Sequence, residues 1–523
     1  MTNCVFIPTA GIGSRLGNLT KYINKSLISV DNRPVLSHII DKFSDDTEFV
    51  IALGYKGNLI REFLELAYPN KKISLVEVVP FEGTGSGLGL SMLSCAHLLQ
   101  KPFIFVSCDT IVTEQIPLPD HNWMGYSEFK DLNQYRTIKV VGNYVTDIYE
   151  KGWEYLDNNK PYIGISGIHD YKLFWEFQED GGNDAIIKGE SYGLYNLLHK
   201  NIKAYKFQWY DTGNIESLNF TQKAYQTSSS PNILEKPDEA IWFVNEKVIK
   251  FSNDKIFIEN RVKRANSDIR DYVPKIIGSK LNMYSYNRVE SKTLSEIITL
   301  PLFDKLLEQS RIFWKPAIIY ASEYEDFYGT CLHFYKDKTK ERIELFYKIF
   351  NKKDGTETIN GELVPTLKEL IDTLDWNWLS KGYAGRFHGD FHFENILFSE
   401  EDNKFTFLDW RQDFGGNLNI GDIYYDLAKL NHGLIISHEL ISENMFSVNW
   451  SVNEINYEVY RKQILVECER MFEKWLKING FSVKKVKILT ALIYLNIAAL
   501  HHYPYSLLLY ALGKKMLKQE LET

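Results

Sequence analysis

The sequence predicts an α/β domain with a parallel sheet, followed by a smaller antiparallel lobe and a large, mostly helical lobe. Three observations support this division. Apolar strand-like runs alternate with helical patterns over residues 1–225, the polar run QTSSSPN covers 226–232, and helical patterns dominate from about residue 292. We therefore expect domains at 1–228, 229–291 and 292–523.

Short apolar runs that end in turn residues mark the strands of the first domain. They are NCVFIPTAG, EFVIALGY, KISLVEVVP and PFIFVSCDT, and helix-like stretches such as PVLSHIIDKF and GNLIREFLELAY separate them. This alternation is typical of a parallel sheet. Residues 237–290 instead predict a small antiparallel sheet with one helix, in the segments AIWFVNEKVIKF, DKIFIENRVKRA and LNMYSYNRVE.

Composition limits the classes of function. The 523 residues include 44% hydrophobic residues, enough for two or three domains with real cores, and the net charge is −8. The absence of a basic stripe argues against nucleic acid as a partner. Five dispersed cysteines without a CxxC pair, and no signal-like start, predict a reducing cytoplasm. The longest apolar run, 488–500, is too short to cross a bilayer of about 30 Å and predicts a buried helix.

A glycine-rich loop follows the first predicted strand. Gly11 and Gly13 stand where a backbone approaches a ligand, and Ser14 and Arg15 complete the segment GIGSR. Neither a dinucleotide fingerprint nor a Walker loop fits the spacing. Positive side chains here, together with Lys25, suit the phosphates of a nucleoside triphosphate. The two glycines alone could equally form a tight turn between a strand and a helix.

Two carboxylates follow predicted strands in the same half. Asp109 closes FIFVSCDT, and Asp211 lies in QWYDTGNIESL. Ligands bind at the carboxyl ends of strands in such sheets, and two carboxylates there could clamp Mg²⁺. Arg15 and Lys25 would then neutralise phosphate charge as pyrophosphate leaves. Each aspartate alone could instead be a helix cap.

Together these motifs resemble the sugar-phosphate nucleotidylyltransferases, which implies a Rossmann-like α/β nucleotidylyltransferase domain. The segment GIGSRLGNLTKYINKSLISVDNRP follows that family's opening pattern, with Lys25 at the signature lysine and Asn24 in place of the usual proline. The resemblance implies that Gly83 and Thr84, in EGTGSGLGLS, recognise the base. It further implies a set of residues that bind the acceptor. Two of them, Glu150 and Lys151, could instead be a solvated surface pair. This set is Glu150, Lys151 and Gly167.

The C-terminal half contains a second set of phosphate-handling residues. In HGDFHFENIL, Asp390 suits the carboxylate that accepts a hydroxyl proton, and Asn395 and Asp409 are oxygen ligands suited to Mg²⁺. Lys250, on a predicted strand, could reach the α- and β-phosphates of ATP, and Glu259 could orient that lysine. The stretch at 283–294 could be the hinge that receives adenine.

This half resembles the aminoglycoside phosphotransferase and choline kinase superfamily, which implies an α+β two-lobed protein-kinase-like phosphotransferase. The shared pattern is H-x-D-x-x-x-x-N followed by L-D-W, and no A-P-E is present. The resemblance implies structural roles for Asp422 and Asp426, and we expect His388 to hold the loop backbone. Arg411 could touch a substrate phosphate or form a salt bridge, and His392 could face the acceptor or fill space.

The two resemblances fit consecutive reactions. A kinase converts a hydroxyl compound to its phosphate, and a nucleotidylyltransferase joins that phosphate to a nucleotide. We expect a bifunctional enzyme that uses Mg²⁺ at both sites, ATP and a second NTP, and a sugar or polyol destined for a surface glycan. Choline or ethanolamine with a CTP-dependent cytidylyltransferase is the alternative, and a catalytically silent half is another. The NTP base, the acceptor and the oligomeric state stay open.

Overall fold

The computed structural model describes residues 4–128, 134–152, 159–226 and 237–522. It divides the chain into two compact units. The first contains Met1–Lys255 and Ile277–Arg288, and the second contains Ile256–Ile276 and Val289–Thr523. The two units do not divide at residues 228 and 291. The predicted domain boundaries at these residues stay a prediction.

A nine-stranded sheet forms the centre of the first unit. In spatial order its strands are Lys72–Glu77, Glu48–Leu53, Cys4–Pro8, Phe103–Val106, Asn159–Ile168, Trp123–Tyr126, Lys203–Lys206, Tyr144–Tyr149 and Thr137–Val141. The first four strands in this order are parallel, with Cys4 opposite Glu48 and Val5 opposite Ile104. They are the four strands predicted from apolar runs, so the parallel α/β core is confirmed. The fifth strand runs antiparallel to its neighbours and makes the sheet mixed.

Seven α-helices of the first unit lie within its described residues. They are Val35–Ile40, Gly57–Ala67, Leu88–Cys95, Tyr171–Asp180, Gly182–Lys188, Glu190–Asn196 and Ile215–Tyr225. Short 3-10 turns are Ser14–Thr20, Lys25–Leu27, Ala96–Leu98 and Leu198–Lys200. Asn214 starts the last helix, since its side chain accepts a hydrogen bond of 2.9 Å from the amide of Ser217. Two small pairs complete the unit, Trp209–Asp211 with Thr110–Val112 and Ser29–Val30 with Arg33–Pro34.

The predicted antiparallel sheet of 237–290 is present. Its strands, in spatial order, are Glu239–Val244, Lys247–Ser252, Met283–Asn287 and Ile276–Ser279. Its apolar side chains share a core with the helices of the first unit. The Trp242 ring meets Phe63 edge-on at 5.4 Å, and the indole N–H donates to Ser29 Oγ at 3.1 Å. Burial of such large rings explains why the sheet groups with the first unit.

The second unit is mostly helical, as the sequence predicts from residue 292. Its α-helices are Lys255–Ala265, Leu294–Ile297, Leu300–Phe313, Ala321–Leu332, Lys338–Ile349, Leu367–Thr373, Trp376–Ser380, Ile423–Ile435, His438–Ser442, Gln463–Ile478, Val483–Ala498 and Tyr505–Glu522. A π-turn spans His333–Asp337, and a 3-10 turn spans Phe393–Asn395.

Small sheets complete the second unit. One contains Lys292–Thr293, Ile396–Ser399 and Lys404–Phe407, a second contains Glu362–Val364, Glu357–Ile359, Glu454–Val459 and Phe446–Trp450, and a short pair joins Ala384–Gly385 to Gly421–Asp422.

The apolar run at 488–500 forms most of the helix Val483–Ala498. Its residues Ile488–Leu495 are all buried, and the helix ends before Pro504, which confirms the predicted buried helix. Among the described helices, none combines the length and the apolar character that a bilayer crossing requires. All five cysteines are free and buried.

Candidate active sites

The glycine loop of the first unit leaves its first residues open to solvent. Gly11, Ser14 and Arg15 are exposed, and a Cβ at Gly11 would meet nothing within 4 Å. Gly13 has φ +73°, and a Cβ there would lie 3.0 Å from the Cβ of Lys25. Glycine at this position thus permits both the left-handed turn and the close approach of the Lys25 segment.

Asn24 connects the glycine loop to the segment that carries Lys25. This fully buried side chain donates to the carbonyls of Thr9 at 2.9 Å and Tyr55 at 2.7 Å. Its oxygen accepts from the amide and the hydroxyl of Ser26, each at 2.9 Å. The asparagine that replaces the family's proline therefore holds together segments that a proline has no donor to join.

Lys25 and the two predicted metal ligands lie close together. Lys25 Nζ forms an ion pair with Asp109 Oδ2 at 2.8 Å. A Cβ placed on Gly213 would be 3.1 Å from Asp211 Oδ1, 3.2 Å from Asp109 Oδ2 and 3.3 Å from Arg15 Nη2. The structure therefore brings Arg15, Asp109 and Asp211 around a single point, beside Lys25.

Local backbone pairing explains why the two aspartates meet. Asp211 is opposite Thr110 in a two-stranded pair, and the amide of Thr212 donates to the Asp109 carbonyl at 2.9 Å. The Ser107 hydroxyl donates to Asp109 Oδ1 at 2.6 Å, and the Tyr135 hydroxyl donates to Asp211 Oδ2 at 2.8 Å. Both carboxylates are thus held in fixed orientations.

The electrostatics of this site depend on the charges that face each other. Burial alone would raise the pKa of Asp109, but Lys25, Ser107 and Arg15 lower it to about 2. The pKa of Asp211 is raised, first by burial and then by the negative charge of Asp109. A divalent cation between them would offset this repulsion, and carboxylate oxygens are the ligands that Mg²⁺ prefers. The residues therefore fit the predicted magnesium ion.

The predicted base-recognition segment combines an open loop with a tightly packed helix start. Gly83 and Thr84 are exposed, and a Cβ at Gly83 would meet nothing within 4 Å. In contrast, a Cβ at Gly87 would lie 2.3 Å from the Ile186 carbonyl, and one at Gly89 would lie 2.1 Å from that of Ala185. The first two residues are free to meet a ligand, whereas the later glycines allow close helix packing.

The predicted acceptor residues Glu150 and Lys151 do not pair with each other. Glu150 accepts from Arg136 Nε at 2.8 Å, and Arg136 Nη1 also lies 3.7 Å from the buried Glu190. Desolvation and the positive charges of Arg15 and Arg136 lower the pKa of Lys151. The charge of Lys151 is thus within electrostatic reach of Arg15. Sequence reasoning missed Arg136 and Tyr135, because QYRTIKV matches no motif.

Gly167 lies inside the central sheet. It is buried, and a Cβ there would be 2.0 Å from Trp123 Nε1, so this glycine makes room for the indole. Its predicted acceptor contact stays a prediction. Gly164, which the sequence reasoning did not single out, has φ +72°, and a Cβ there would be 2.8 Å from the Cβ of Ser107, the residue that holds Asp109.

In the second unit, His388 fixes the backbone of the loop at 388–396, which we name the catalytic loop after the predicted role of Asp390. Its Nε2 lies 2.8 Å from the Leu408 carbonyl, and its Nδ1 lies 3.2 Å from the amide of Asp390, which donates. These partners require a neutral imidazole that is protonated on Nε2. Burial agrees with this state, since it lowers the pKa of His388 to about 3.

Asp390 is surrounded by groups that favour its charged form. Lys429 Nζ lies 2.9 Å from Asp390 Oδ1, and Asn395 Nδ2 donates to Asp390 Oδ2 at 3.1 Å. Although burial alone would raise the pKa of Asp390, Lys429 and His392 hold it well below its usual range. A carboxylate that stays ionised next to a lysine could orient a hydroxyl and accept its proton.

Asn395 and Asp409 are brought together by backbone hydrogen bonds. The amide of Leu408 donates to the Asn395 carbonyl at 2.7 Å, and the amide of Arg411 donates to the His388 carbonyl at 2.8 Å. Because Asn395 Nδ2 faces Asp390, its oxygen is the atom left for a metal ion. Asp409 has φ +58° and forms an ion pair with Arg261 at 2.8 Å. These oxygen donors fit Mg²⁺.

The helix Lys255–Ala265 contacts the catalytic region through arginines rather than through the predicted glutamate. Besides the Arg261–Asp409 pair, the buried Arg264 donates to the carbonyls of Arg411 and Phe387. Glu259 is exposed and pairs with Lys263 at 2.5 Å, one turn along the helix. Lys250 is buried at 6% exposure in the first unit, on the strand opposite Tyr284. The Lys250–Glu259 pairing stays a prediction, as does the hinge at 283–294.

Asp422 and Asp426 are fully buried and bind backbone groups. Asp426 accepts from the amides of His388 and Gly389, each at 2.6 Å, and from Trp314 Nε1 at 3.0 Å. Asp422 accepts from the Tyr335 hydroxyl at 2.7 Å and from the Tyr383 amide at 2.8 Å. Asp426 therefore holds the start of the loop at 388–396, and Asp422 holds the backbone at Tyr383, so both have structural roles, as the resemblance implied.

His392 and Arg411 flank the catalytic loop. His392 Nδ1 lies 2.8 Å from Glu394 Oε2, and its ring stacks on His438 at 5.4 Å. Ligand atoms of these three residues lie within 4.8 Å of one another, so they form another group that could hold a metal. Arg411 Nε donates to the Asp413 carbonyl at 3.0 Å, and its guanidinium lies over Phe334.

Lys338 is a further basic side chain near the loop that the sequence reasoning missed. Burial and the positive charges of Arg411, Lys429 and Arg342 lower its pKa to about 7. No motif marks it, because it lies on a helix remote in sequence from HGDFHFENIL.

Several known proteins resemble parts of this chain. The bifunctional protein GlmU of Methanococcus vannielii is 26% identical over 146 residues, which are 27% of this chain and 34% of that protein. The chain thus spans about a third of the length of this curated relative.

Among solved structures, apo-UDP-glucose pyrophosphorylase is 17% identical (TM-score 0.38) and matches 43% of this chain and 98% of its own. UDP-glucose pyrophosphorylase from Acinetobacter baumannii is 16% identical (TM-score 0.36; 43% and 93%). CTP:phosphocholine cytidylyltransferase from Streptococcus pneumoniae is 14% identical (TM-score 0.35; 43% and 100%).

A segment within the second half of the chain matches a family model. The model of the Phosphotransferase enzyme family (APH) matches residues 341–435, the segment that contains Asp390, Asn395 and Asp409.

Proposed function

We propose that this protein is a bifunctional enzyme that activates a small hydroxyl compound in two steps. In the second unit, the hydroxyl oxygen attacks the γ-phosphorus of ATP, Asp390 accepts the hydroxyl proton, and ADP leaves. In the first unit, the new phosphate attacks the α-phosphorus of a second NTP, and pyrophosphate leaves. The product is a nucleoside diphosphate linked to the original compound.

The observation that supports this proposal best is the surroundings of Asp390. A carboxylate paired with Lys429 at 2.9 Å, and hydrogen-bonded by Asn395 at 3.1 Å, lies inside the segment that matches a phosphotransferase family. The same chain contains a second group of carboxylates and cations around Gly213. Two separate sets of phosphate-handling residues favour two reactions over one catalytic half joined to a silent one.

Roles at the first site are proposed from the sequence motifs, and the positions of its charged residues support them. Arg15 and Lys25 neutralise charge on the NTP as pyrophosphate leaves, and Asp109 with Asp211 would hold Mg²⁺. Gly11, Gly13 and Ser14 approach the phosphates, and Gly83 and Thr84 meet the base. Glu150, Lys151 and Gly167 belong to the acceptor side.

Roles at the second site are assigned in the same way. Asn395 and Asp409 would hold Mg²⁺ there, which neutralises phosphate charge when bound. Lys250 binds ATP phosphates with Glu259 as its orienting partner, whereas His392 and Arg411 face the acceptor. We further propose a cytoplasmic enzyme whose sugar or polyol product serves a surface glycan such as a capsule.

Mass spectrometry of a single reaction tests the proposal. Wild-type enzyme receives magnesium, ATP, the four common NTPs and a pool of unphosphorylated sugars, polyols, choline and ethanolamine. Asp390→Asn and Asp211→Ala run in parallel, with Asp372→Asn as the matched control because Asp372 is an exposed carboxylate paired with Lys368.

Each outcome has a defined meaning. We expect a new species linked to a nucleoside diphosphate with wild type and Asp372→Asn only. The phosphorylated intermediate should accumulate with Asp211→Ala and be absent with Asp390→Asn. ATP consumption without any linked species, or equal product from Asp390→Asn, would refute the two-step assignment.

A further inference from the structure

Three basic side chains gather beside the catalytic loop of the second unit. Lys338 Nζ lies 4.4 Å from the centroid of the Phe334 ring, and the Arg411 guanidinium carbon lies 5.0 Å from the same centroid. Arg342 follows Lys338 by one turn of the helix Lys338–Ile349, and positions four residues apart share a helix face. We name Lys338, Arg342 and Arg411 the basic cluster.

The basic cluster is tied to Asp390 through the backbone. The amide of Arg411 donates to the His388 carbonyl at 2.8 Å, two residues before Asp390. The absence of a side chain at Gly389 lets Arg411 approach, since a Cβ there would lie 2.4 Å from the Arg411 Cβ. The cluster therefore adjoins the place where an acceptor hydroxyl must reach the carboxylate.

Other cations near the catalytic loop are bound to carboxylates or backbone carbonyls. Lys429 is paired with Asp390, Arg261 is paired with Asp409, and both terminal nitrogens of Arg264 donate to backbone carbonyls. Within residues 4–128, 134–152, 159–226 and 237–522, no carboxylate forms an ion pair with Lys338, Arg342 or Arg411. Like charges that are gathered without a counter-ion are unfavourable unless a ligand supplies the anion.

ATP is the other anion that could enter this region, but the packing favours the acceptor. Phe334, which lies under the cluster, stacks on Phe414 at 4.5 Å and meets Tyr425 at 4.9 Å. Asp409, a proposed ligand of the ATP-bound metal, is instead contacted by Arg261 from the helix Lys255–Ala265. The Arg261 contact to Asp409 thus comes from a different helix than the one that carries Lys338 and Arg342, whereas Arg411 lies in the same segment as Asp409.

We propose that the hydroxyl compound phosphorylated at Asp390 also carries an acid group, and that Lys338, Arg342 and Arg411 bind that group. This inference rests on the proposed kinase reaction and narrows its substrate class. Phosphate and carboxylate share the required chemistry, because both accept hydrogen bonds from lysine and arginine. A cationic acceptor such as choline would be repelled by the cluster.

The test compares hydroxyl compounds that differ in one acid group. Glycerol is paired with glycerol 3-phosphate, ribitol with ribitol 5-phosphate and glucose with glucuronate, and choline represents the cations. ADP formation is measured for wild type and for the variants Lys338→Met and Arg342→Met. Lys340→Met is the matched control, since it is an exposed lysine between the two positions on the same helix.

We expect an acid compound to raise ADP formation at least about tenfold more than its neutral partner. Loss of one charge-assisted contact should raise the KM for that acid by about 10- to 100-fold in each cluster variant. The KM for ATP should change less than about twofold, and Lys340→Met should resemble wild type. A KM increase for ATP alone would assign the cluster to the nucleotide and overturn the inference.

Calorimetric titration with a non-hydrolysable ATP analogue and magnesium present separates this inference from the kinase proposal. If an acid compound binds to wild type but not to Lys338→Met, and no turnover occurs, the result supports the acid-binding inference and refutes the proposed kinase reaction. Turnover of a neutral or cationic compound that depends on Asp390 would keep the kinase and overturn the inference. Neither binding nor turnover of any tested compound, acid, neutral or cationic, would overturn both.

Discussion

Removal of the Asp426 carboxylate should destabilise the second unit and displace its catalytic loop. Asp426 is fully buried and accepts three hydrogen bonds, from the amides of His388 and Gly389 and from the Trp314 indole. Asp426→Ala leaves three buried donors without a partner, and each costs about 1–3 kcal/mol. Allowing for relaxation, we expect a loss of about 3–5 kcal/mol, a large part of the stability of a typical domain.

Asp426→Asn separates loss of charge from loss of shape. Its single oxygen can replace Oδ2, which accepts from His388 and Trp314, but its amide nitrogen would then face the donor of Gly389. One unsatisfied donor instead of three predicts a loss of about 1–3 kcal/mol. The stabilities should therefore rank wild type above Asp426→Asn and Asp426→Ala lowest.

Hydrogen exchange read by mass spectrometry in a urea series is the suitable assay, because it follows peptides of each unit separately. Peptides that contain His388 and Gly389 should lose protection in Asp426→Ala, and ADP formation should fall at least about tenfold as Asp390 moves. Asp372→Ala, on an exposed helix face, should leave both readouts unchanged. Equal protection and stability, within about 0.5 kcal/mol, in wild type and Asp426→Ala would refute the reasoning.

Three further predictions concern other parts of the molecule. Asp211→Asn should slow pyrophosphate release by about 100-fold or more, measured by a coupled phosphate assay, and leave ADP formation intact. Gly213→Ala should have a comparable effect on pyrophosphate release, because its Cβ would lie 3.1–3.3 Å from Asp211, Asp109 and Arg15. Burial lowers the pKa of His388 to about 3, so protonation favours the unfolded chain. The contribution of His388 is therefore complete above about pH 6.5 and falls by about 1.4 kcal/mol per pH unit below it, measured by urea unfolding.

Controls for these predictions come from the same chain. Gly329→Ala adds a Cβ with nothing within 4 Å and should leave pyrophosphate release unchanged. A Gly213→Ala enzyme with wild-type pyrophosphate release would contradict the placement of the phosphates at this point. His388→Gln should flatten the loss of stability of the second unit between pH 6.5 and pH 5, and an unchanged slope would show that another group is responsible.

Local sequence patterns were sufficient for the core of the first unit. Apolar runs located its four parallel strands, and Asp109 follows one of them, where ligands bind in such sheets. The meeting of Asp109 with Asp211 needed a further step, the backbone pairing between 110–112 and 209–211. The position of both aspartates after predicted strands suggested that they meet, whereas each aspartate alone left a helix cap as an alternative.

Side-chain partners that are distant in sequence were beyond the reach of pattern reasoning. The Arg136–Glu150 pair, the Arg261–Asp409 pair and the position of Lys338 each depend on tertiary packing. Asn24 shows a related difficulty. The sequence shows only that it replaces a proline, whereas its four side-chain hydrogen bonds make it a link between three segments.

The chain passes between its two units more than once, which limits how the two proposed activities can be separated by truncation. The polypeptide passes between them after Lys255, after Ile276 and after Arg288, so the small sheet cannot leave the first unit as a simple tail. A fragment that ends at residue 228 lacks Trp242, so the apolar surface around Phe63 that this ring covers would be exposed to solvent. Recombinant fragments that end near 228 should therefore be prone to aggregate, and a functional separation of the two activities will need point variants rather than shorter genes.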